Sequence, residues 1–236
     1  MSWLDRISLF QPLDLLAFAV LLGGWLIVGW RIDSPGKRAS VSCLMAEYRR
    51  EWMIQMVSRD PRIFDSQVIA MLRQGTAFFA SACMIAIGGV FAVMGNAERV
   101  VNLANDLTLS DDPAIVWELK LAVVLILLAN AFLKFVWASR LFSYCAVLVA
   151  AVPNDASDPR AYPRAAQAAE INITAARSFN RGLRAIYFAL AAATWVFGPL
   201  VLLIASVATI AILWRREFAS KSREALISGL QIKGET

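Results

Sequence analysis

The chain has 236 residues, 59% of them hydrophobic and 17% charged, with a net charge of +5 and no histidine. Soluble domains carry about 25% charged and about 45–50% apolar residues, so this composition excludes a water-soluble globular fold and leaves too little polar chain for a second domain. The missing histidine excludes His-ligated haem, His-containing zinc sites and Ser-His or Cys-His catalytic pairs. Cys43, Cys83 and Cys145 form no C-x-x-C pair and read as small buried hydrophobes.

The leader Met1 to Gln11 carries Asp5 and Arg6 instead of a basic cluster, and no A-x-A site follows, so it reads as a retained approach to the first span. That span covers about residues 13–30, interrupted by Asp14 near its outer end, with Trp25 and Trp30 as interfacial anchors before Arg31. Ser34-Pro35-Gly36 breaks the helix. From Val41 to Val57, the residues Val41, Leu44, Met45, Tyr48, Trp52 and Met56 recur at three- and four-residue spacing, while Glu47, Arg49, Arg50 and Glu51 fill the other face. The spacing predicts an amphipathic helix over 41–57, and beside membrane spans it reads as lying at the lipid headgroups. Asp60-Pro61 ends it.

The second span is expected over 75–96, with Ala80, Ser81, Gly88 and Gly89 permitting close helix packing. Glu98 to Asp112 is a polar loop, and Pro113 suits the start of the next helix. Ile115 to Ala151 contains no breaker and would form a helix of about 55 Å, longer than a hydrocarbon core of about 30 Å. Trp117 and Trp137 are expected as aromatic belts bounding the third span, over 115–137, with Glu118 and Lys120 as anchors at its outer end. Leu141 to Val152 would continue past the interface and pack on the 41–57 helix.

Pro153, Pro159 and Pro163 mark a turn-rich loop. An Ala-rich helix from Arg164 runs into Ala185–Trp214, thirty residues without a charge. As one straight helix that stretch would be about 45 Å long. Gly198-Pro199 near its middle suits the end of one helix and the first turn of another. Split there, it gives segments over 183–197 and 199–214.

Charge bears on the choice. Arg31 to Arg73 holds eight Lys/Arg, Lys134 to Arg184 seven, and the residues after Trp214 five, whereas the loop between spans two and three holds only Arg99 and the N-terminal segment only Arg6. The positive-inside rule puts the basic stretches in the cytoplasm, the N-terminus outside and the C-terminus inside. That requires the hairpin. The expected fold is therefore an all-α polytopic membrane protein with five membrane segments, four being the alternative, plus an amphipathic interfacial helix in a single domain.

Few residues suggest chemistry. Asn130 and Lys134 share a face of the third span; they read as a hydrogen-bonding neighbour and a snorkelling lysine, or as a polar intramembrane site. Arg177, Arg181 and Arg184 form one stripe on the helix entering the hairpin, with Glu170 farther along it. They read as a positive-inside signal, or as a clamp for an anionic headgroup or phosphate shared with Arg49 and Arg50. Phosphate-cradling, nucleophile-elbow and zinc-protease motifs are absent from the sequence.

The chain resembles an uncharacterised membrane-protein family of bacteria and plants, domain of unknown function 599. The similarity is carried by Tyr48-Arg49-Arg50-Glu51-Trp52-Met53, Arg59-Asp60-Pro61-Arg62-Ile63-Phe64-Asp65, Phe78-Phe79-Ala80-Ser81 and Ile87-Gly88-Gly89. It continues through Trp117-Glu118-Leu119-Lys120, Lys134-Phe135-Val136-Trp137, Phe179-Asn180-Arg181-Gly182-Leu183-Arg184 and Arg215-Arg216-Glu217-Phe218. The chain departs from the family pattern at Ser143 and Ser178, where Asn and His are common. The resemblance implies a bacterial inner-membrane protein with four or more spans, and no activity.

The leading functional expectation is a non-enzymatic, lipid-contacting or complex-associated accessory component. Its partners would be membrane lipids and other membrane-protein subunits, with no nucleic acid, metal or cofactor. A small transporter or channel using Asn130 and Lys134 is the second expectation; a lipid-phosphate-modifying enzyme drawing on Asp60, Asp65 or Glu51 is the third.

Overall fold

A computed structural model describes residues 10–34, 36, 38–96 and 114–231. The leader with Asp5 and Arg6, the break residue Pro35, the Glu98–Asp112 loop with Arg99, Pro113 and the tail beyond residue 231 lie outside the described residues. Among the described residues every regular element is helical: α1 Pro12–Asp33, α2 Val41–Val57, α3 Ile63–Met94, α4 Ala114–Ala150, α5 Ala161–Ala193, a 3-10 turn Thr194–Phe197, α6 Pro199–Phe218 and α7 Lys221–Gln231.

Four helical stretches are long and apolar enough to cross a membrane: Pro12–Asp33, Ile63–Met94, Ala114–Ala150 and Pro199–Gly229. Their large apolar side chains point outward, Ile85 being 77% and Trp30 71% exposed. Apolar surface on this scale calls for lipid as the solvent, and helices satisfy their own backbone there. The chain is a multi-pass helical membrane protein. The expected break near the C-terminal end is present: Gly198 takes φ 108°, which L side chains rarely adopt, and Pro199 opens α6. The helix leading into it, α5, starts far earlier in a charged, Ala-rich stretch.

The chain divides into two compact units. The first comprises Met1–Trp30, Ala82–Phe132 and Leu183–Trp214; the second comprises Arg31–Ser81, Leu133–Gly182 and Arg215–Thr236.

In the first unit, Asp14 is buried and accepts a 2.6 Å hydrogen bond from Trp195 Nε1 and a 3.2 Å bond from the Gln11 backbone N–H. Phe18 stacks on the Trp195 ring at 5.6 Å. The carboxylate of Asp14 thus receives one donor from the turn that precedes Gly198 and one from the backbone just before α1. Trp117 and Lys120 are 2% and 4% exposed, with Lys120 Nζ 5.1 Å from the Trp117 ring centroid. This corrects their reading as a belt and an anchor at the headgroups: both side chains are inside the protein. Gly24 lets α1 and α6 approach, since a Cβ there would come within 2.4 Å of Ile210 Cδ1. A Cβ at Gly88 or Gly89 would meet nothing within 4 Å, so the close packing expected at those glycines is not formed among the described residues.

The second unit collects the three Lys/Arg-rich stretches of the sequence, Arg184 excepted. Its core is small and apolar: Met53, Met56 and Val57 of α2 pack with Ile69 of α3, Cys145 and Val149 of α4, and the alanines of α5. The α5 residues Ala161, Ala165, Ala168, Asn172 and Ala175, each 0% exposed, recur at alternating spacings of four and three. That small-residue stripe gives the methionines room to approach, as unbranched, adaptable side chains do. Cys145, Val149 and Val152 extend the core beyond the third span onto α2, as expected. The α2 helix has the predicted bounds but a different neighbour. Its methionine face is buried against protein rather than turned outward.

Candidate functional site

The start of α2 is built by three segments of the second unit. Ser40 is fully buried; its hydroxyl donates to Ile32 O at 2.7 Å and accepts from Cys43 N at 3.1 Å, capping the helix. Glu217 then places its carboxylate on the first turn, accepting from Ser42 N at 3.1 Å and Ser42 Oγ at 3.2 Å. A carboxylate there also meets the positive end of the helix dipole. Arg38 donates to Phe218 O at 2.6 Å, Arg223 to Ala39 O at 2.9 Å, and Tyr48 to Leu226 O at 3.0 Å, so α6 and α7 are tied to the chain around α2.

These elements and α5 enclose a cavity of about 310 Å³ whose polar walls are Asp33, Ser42, Arg49, Arg177, Asn180, Arg216, Glu217, Ser220 and Ser222. Its carboxylates are engaged: Asp33 binds Arg181 Nε at 2.7 Å, and Glu217 holds Ser42. Arg49 donates to the Asn172 side-chain oxygen, and Asn172 donates onward to Cys145 Sγ at 3.5 Å. Burial pushes the Arg49 guanidinium below its ordinary value. Its partner is a neutral amide, and among the described residues no carboxylate pairs with it. Arg177 is exposed at the same cavity and has no hydrogen bond or ion pair among the described residues. A half-buried cation held by a neutral amide and an exposed cation without a partner among the described residues line one cavity, a composition that suits an anion.

Of the arginines singled out from the sequence, Arg49 and Arg177 come together. Arg50 turns away, to Glu170 at 2.7 Å and Glu47 at 2.6 Å, and the Glu170 hydrogen bond is the main cause holding its guanidinium above the ordinary value. Arg181 is neutralised by Asp33. Arg184 is buried and belongs to the first unit. Asn130 and Lys134 fall in different units, and what Lys134 contributes is its carbonyl, which accepts from Ser178 Oγ at 2.9 Å. Ser143 likewise bonds locally, to Ser139 O at 3.1 Å.

Asp65, weighed above as a catalytic carboxylate, is fully buried and accepts from Trp52 Nε1 at 2.6 Å and Arg59 Nη1 at 2.5 Å. Arg62 donates to Val152 O at 2.6 Å, Pro153 O at 2.7 Å and Val57 O at 3.2 Å. The Arg59–Asp65 run therefore works as a clasp joining the end of α2, the start of α3 and the turn after α4. Phe79, Phe135 and Phe179 meet at 5.4–5.6 Å between centroids, and a Cβ on Gly182 would lie 2.8 Å from the Phe135 ring. These residues belong to separate runs of the sequence resemblance and converge on the frame of one unit.

Sequence reasoning missed Asn172, Ser42, Asn180 and Glu217. Asn172 had a signal: it is the polar residue in an otherwise alanine stripe.

No curated protein and no solved structure matches the chain. The model of the family described as "Protein of unknown function, DUF599" matches residues 16–222, and the chain belongs to that family.

Proposed function

We propose that this is a non-enzymatic, lipid-contacting component of the bacterial inner membrane whose second unit receives a phosphate-bearing anionic group in the cavity walled by Arg49 and Arg177. The observation that carries the reading is the pairing of Arg49 with an amide, Asn172, beside an uncommitted Arg177, while the carboxylates Asp33 and Glu217 are already engaged. The serines Ser42, Ser220 and Ser222 add hydroxyls to the same wall. Arg presents a planar fork that grips phosphate with two parallel hydrogen bonds.

The orientation belongs to the same proposal: five segments, N-terminus outside, C-terminus cytoplasmic. The chain passes from one unit to the other after residues 30, 81, 132, 182 and 214, an odd number of times, and all residues of the three basic stretches that carry Lys or Arg, except Arg184, fall in the second unit. Both facts support a hairpin whose first limb is residues 183–197. A reporter active only in the periplasm, fused after Thr236, stays silent on this reading; periplasmic activity there overturns it.

The binding reading is tested with Arg177, whose side chain bonds to nothing among the described residues. In nanodiscs of mixed neutral and anionic lipid, native mass spectrometry should find anionic lipid retained by the parent, reduced in Arg177→Lys and lost in Arg177→Gln, with normal insertion throughout. Equal retention in all three sinks the binding site.

A further inference from the structure

We infer that the ligand is a single-chain amphiphile, one hydrocarbon chain ending in a phosphate ester, its head in the cavity already described and its chain in an apolar chamber next to it. The inference rests on the anion-binding reading above and adds the chemistry of the rest of the molecule.

A second cavity of about 230 Å³ in the same unit is lined by Met71, Leu72, Gly75, Phe142 and Phe179. It shares Arg49, Ala176 and Asn180 with the polar cavity, so the two chambers adjoin along that stretch of wall. Arg49 is the charged part of that wall, and Asn172 holds it by its guanidinium. On one side stand hydroxyls, Arg177 and Arg216 beside the engaged carboxylates Asp33 and Glu217; on the other, aliphatic and aromatic carbon. A ligand filling both must change from anionic to apolar at the depth of Arg49, which is the construction of an amphiphile. A free phosphate would use the first chamber alone. At about 30 Å³ per water-sized group, the second chamber holds about eight such groups, room for one run of chain and not for two.

Gly75 makes the inference testable without damage to the fold. A Cβ at Gly75 would meet nothing within 4 Å, although the residue lines the chamber inside α3. A larger side chain therefore has open space at the chamber lining, and Leu is also the better helix former.

The purified full chain in neutral phosphatidylcholine nanodiscs is titrated calorimetrically with glycerol 3-phosphate and with its octanoyl monoester; empty nanodiscs correct for partitioning. Both probes bind, the octanoyl ester at least about a hundredfold more tightly, since each pair of buried methylenes is worth about tenfold in affinity. In Gly75→Leu, and independently in Leu72→Trp, that preference collapses while glycerol 3-phosphate binding stays as in the parent. If the octanoyl ester shows no preference, or both variants keep it, the amphiphile is overturned and the phosphate site stands. If neither probe binds the parent, the inference falls together with the proposed function.

Discussion

In the first unit, Asp14 is answered by one indole, and the buried Ser206 Oγ and Trp117 Nε1 have no hydrogen-bond partner among the described residues. In the second unit, Trp52, Arg59 and Asp65 share a junction, Arg62 spans three carbonyls, and Arg50 bridges two glutamates, although Arg62 Nε and Asp65 Oδ2 are likewise without a partner among the described residues. Both units bury apolar side chains; they differ in what fixes the arrangement. Where lipid covers the outside, burial of apolar surface favours no helix face over another, so close approach at small residues must choose the partners. Where the segments are rich in charge, an uncompensated charge is costly to bury, so paired charges dictate which segments meet.

The largest effect that could break this comparison is expected at Asp65. In Asp65→Ala, Trp52 Nε1 and Arg59 lose their acceptor, and the loss should be about 2–3 kcal/mol, held below that of a fully buried ion pair because Arg59 is 40% exposed. Trypsin should then cleave faster around Arg59 and Arg62 in nanodiscs, while the first unit keeps its protection. Unchanged cleavage would show that charge pairing does not organise the second unit. A smaller effect is expected at the two glycines of close approach. In Gly182→Ala the new methyl meets the flat Phe135 ring at 2.8 Å, and the cost should be about 1–3 kcal/mol of thermal stability. In Gly24→Ala it meets the rotatable tip of Ile210, and the gain in helix propensity offsets part of the strain, leaving under about 1 kcal/mol. Equal melting shifts for the two variants would mean that the nature of the neighbour, ring or chain end, is irrelevant.

Much of the architecture was legible because it depends on local chemistry. The bounds of α2 followed from three- and four-residue spacing, the break at Gly198-Pro199 from the conformational habits of the two residues, and the contact of Val149 and Val152 with α2 from the excess length of α4 over a bilayer. What periodicity does not encode is the partner of a face. The Met53 and Met56 face of α2 fits lipid and a row of alanines equally well, and only the position of α5, more than a hundred residues away, decides between them. Trp117 and Lys120 misled for the same reason: at the end of a span, an anchor and a buried contact have the same composition. For the candidate site, Arg49 and Arg177 were legible as basic residues on helix faces. That Arg50 and Arg181 would be neutralised by Glu170 and Asp33 depends on pairings between segments 120 and 148 residues apart, which no local pattern carries.

The bonds that close the cavity join the beginning of the chain to its end. Ser42 waits for Glu217, Arg38 for the carbonyl of Phe218, and Ala39 O for Arg223, across 175 to 184 residues. A ribosome delivers these partners only after α1 to α5 have been made. During synthesis the first turn of α2 is therefore left without its carboxylate, and the chamber has only part of its wall. The apolar helices can enter lipid as they emerge, but a ligand can be received only once α7 has been made. In biosynthetic terms the site is missing from any product that stops short of α7.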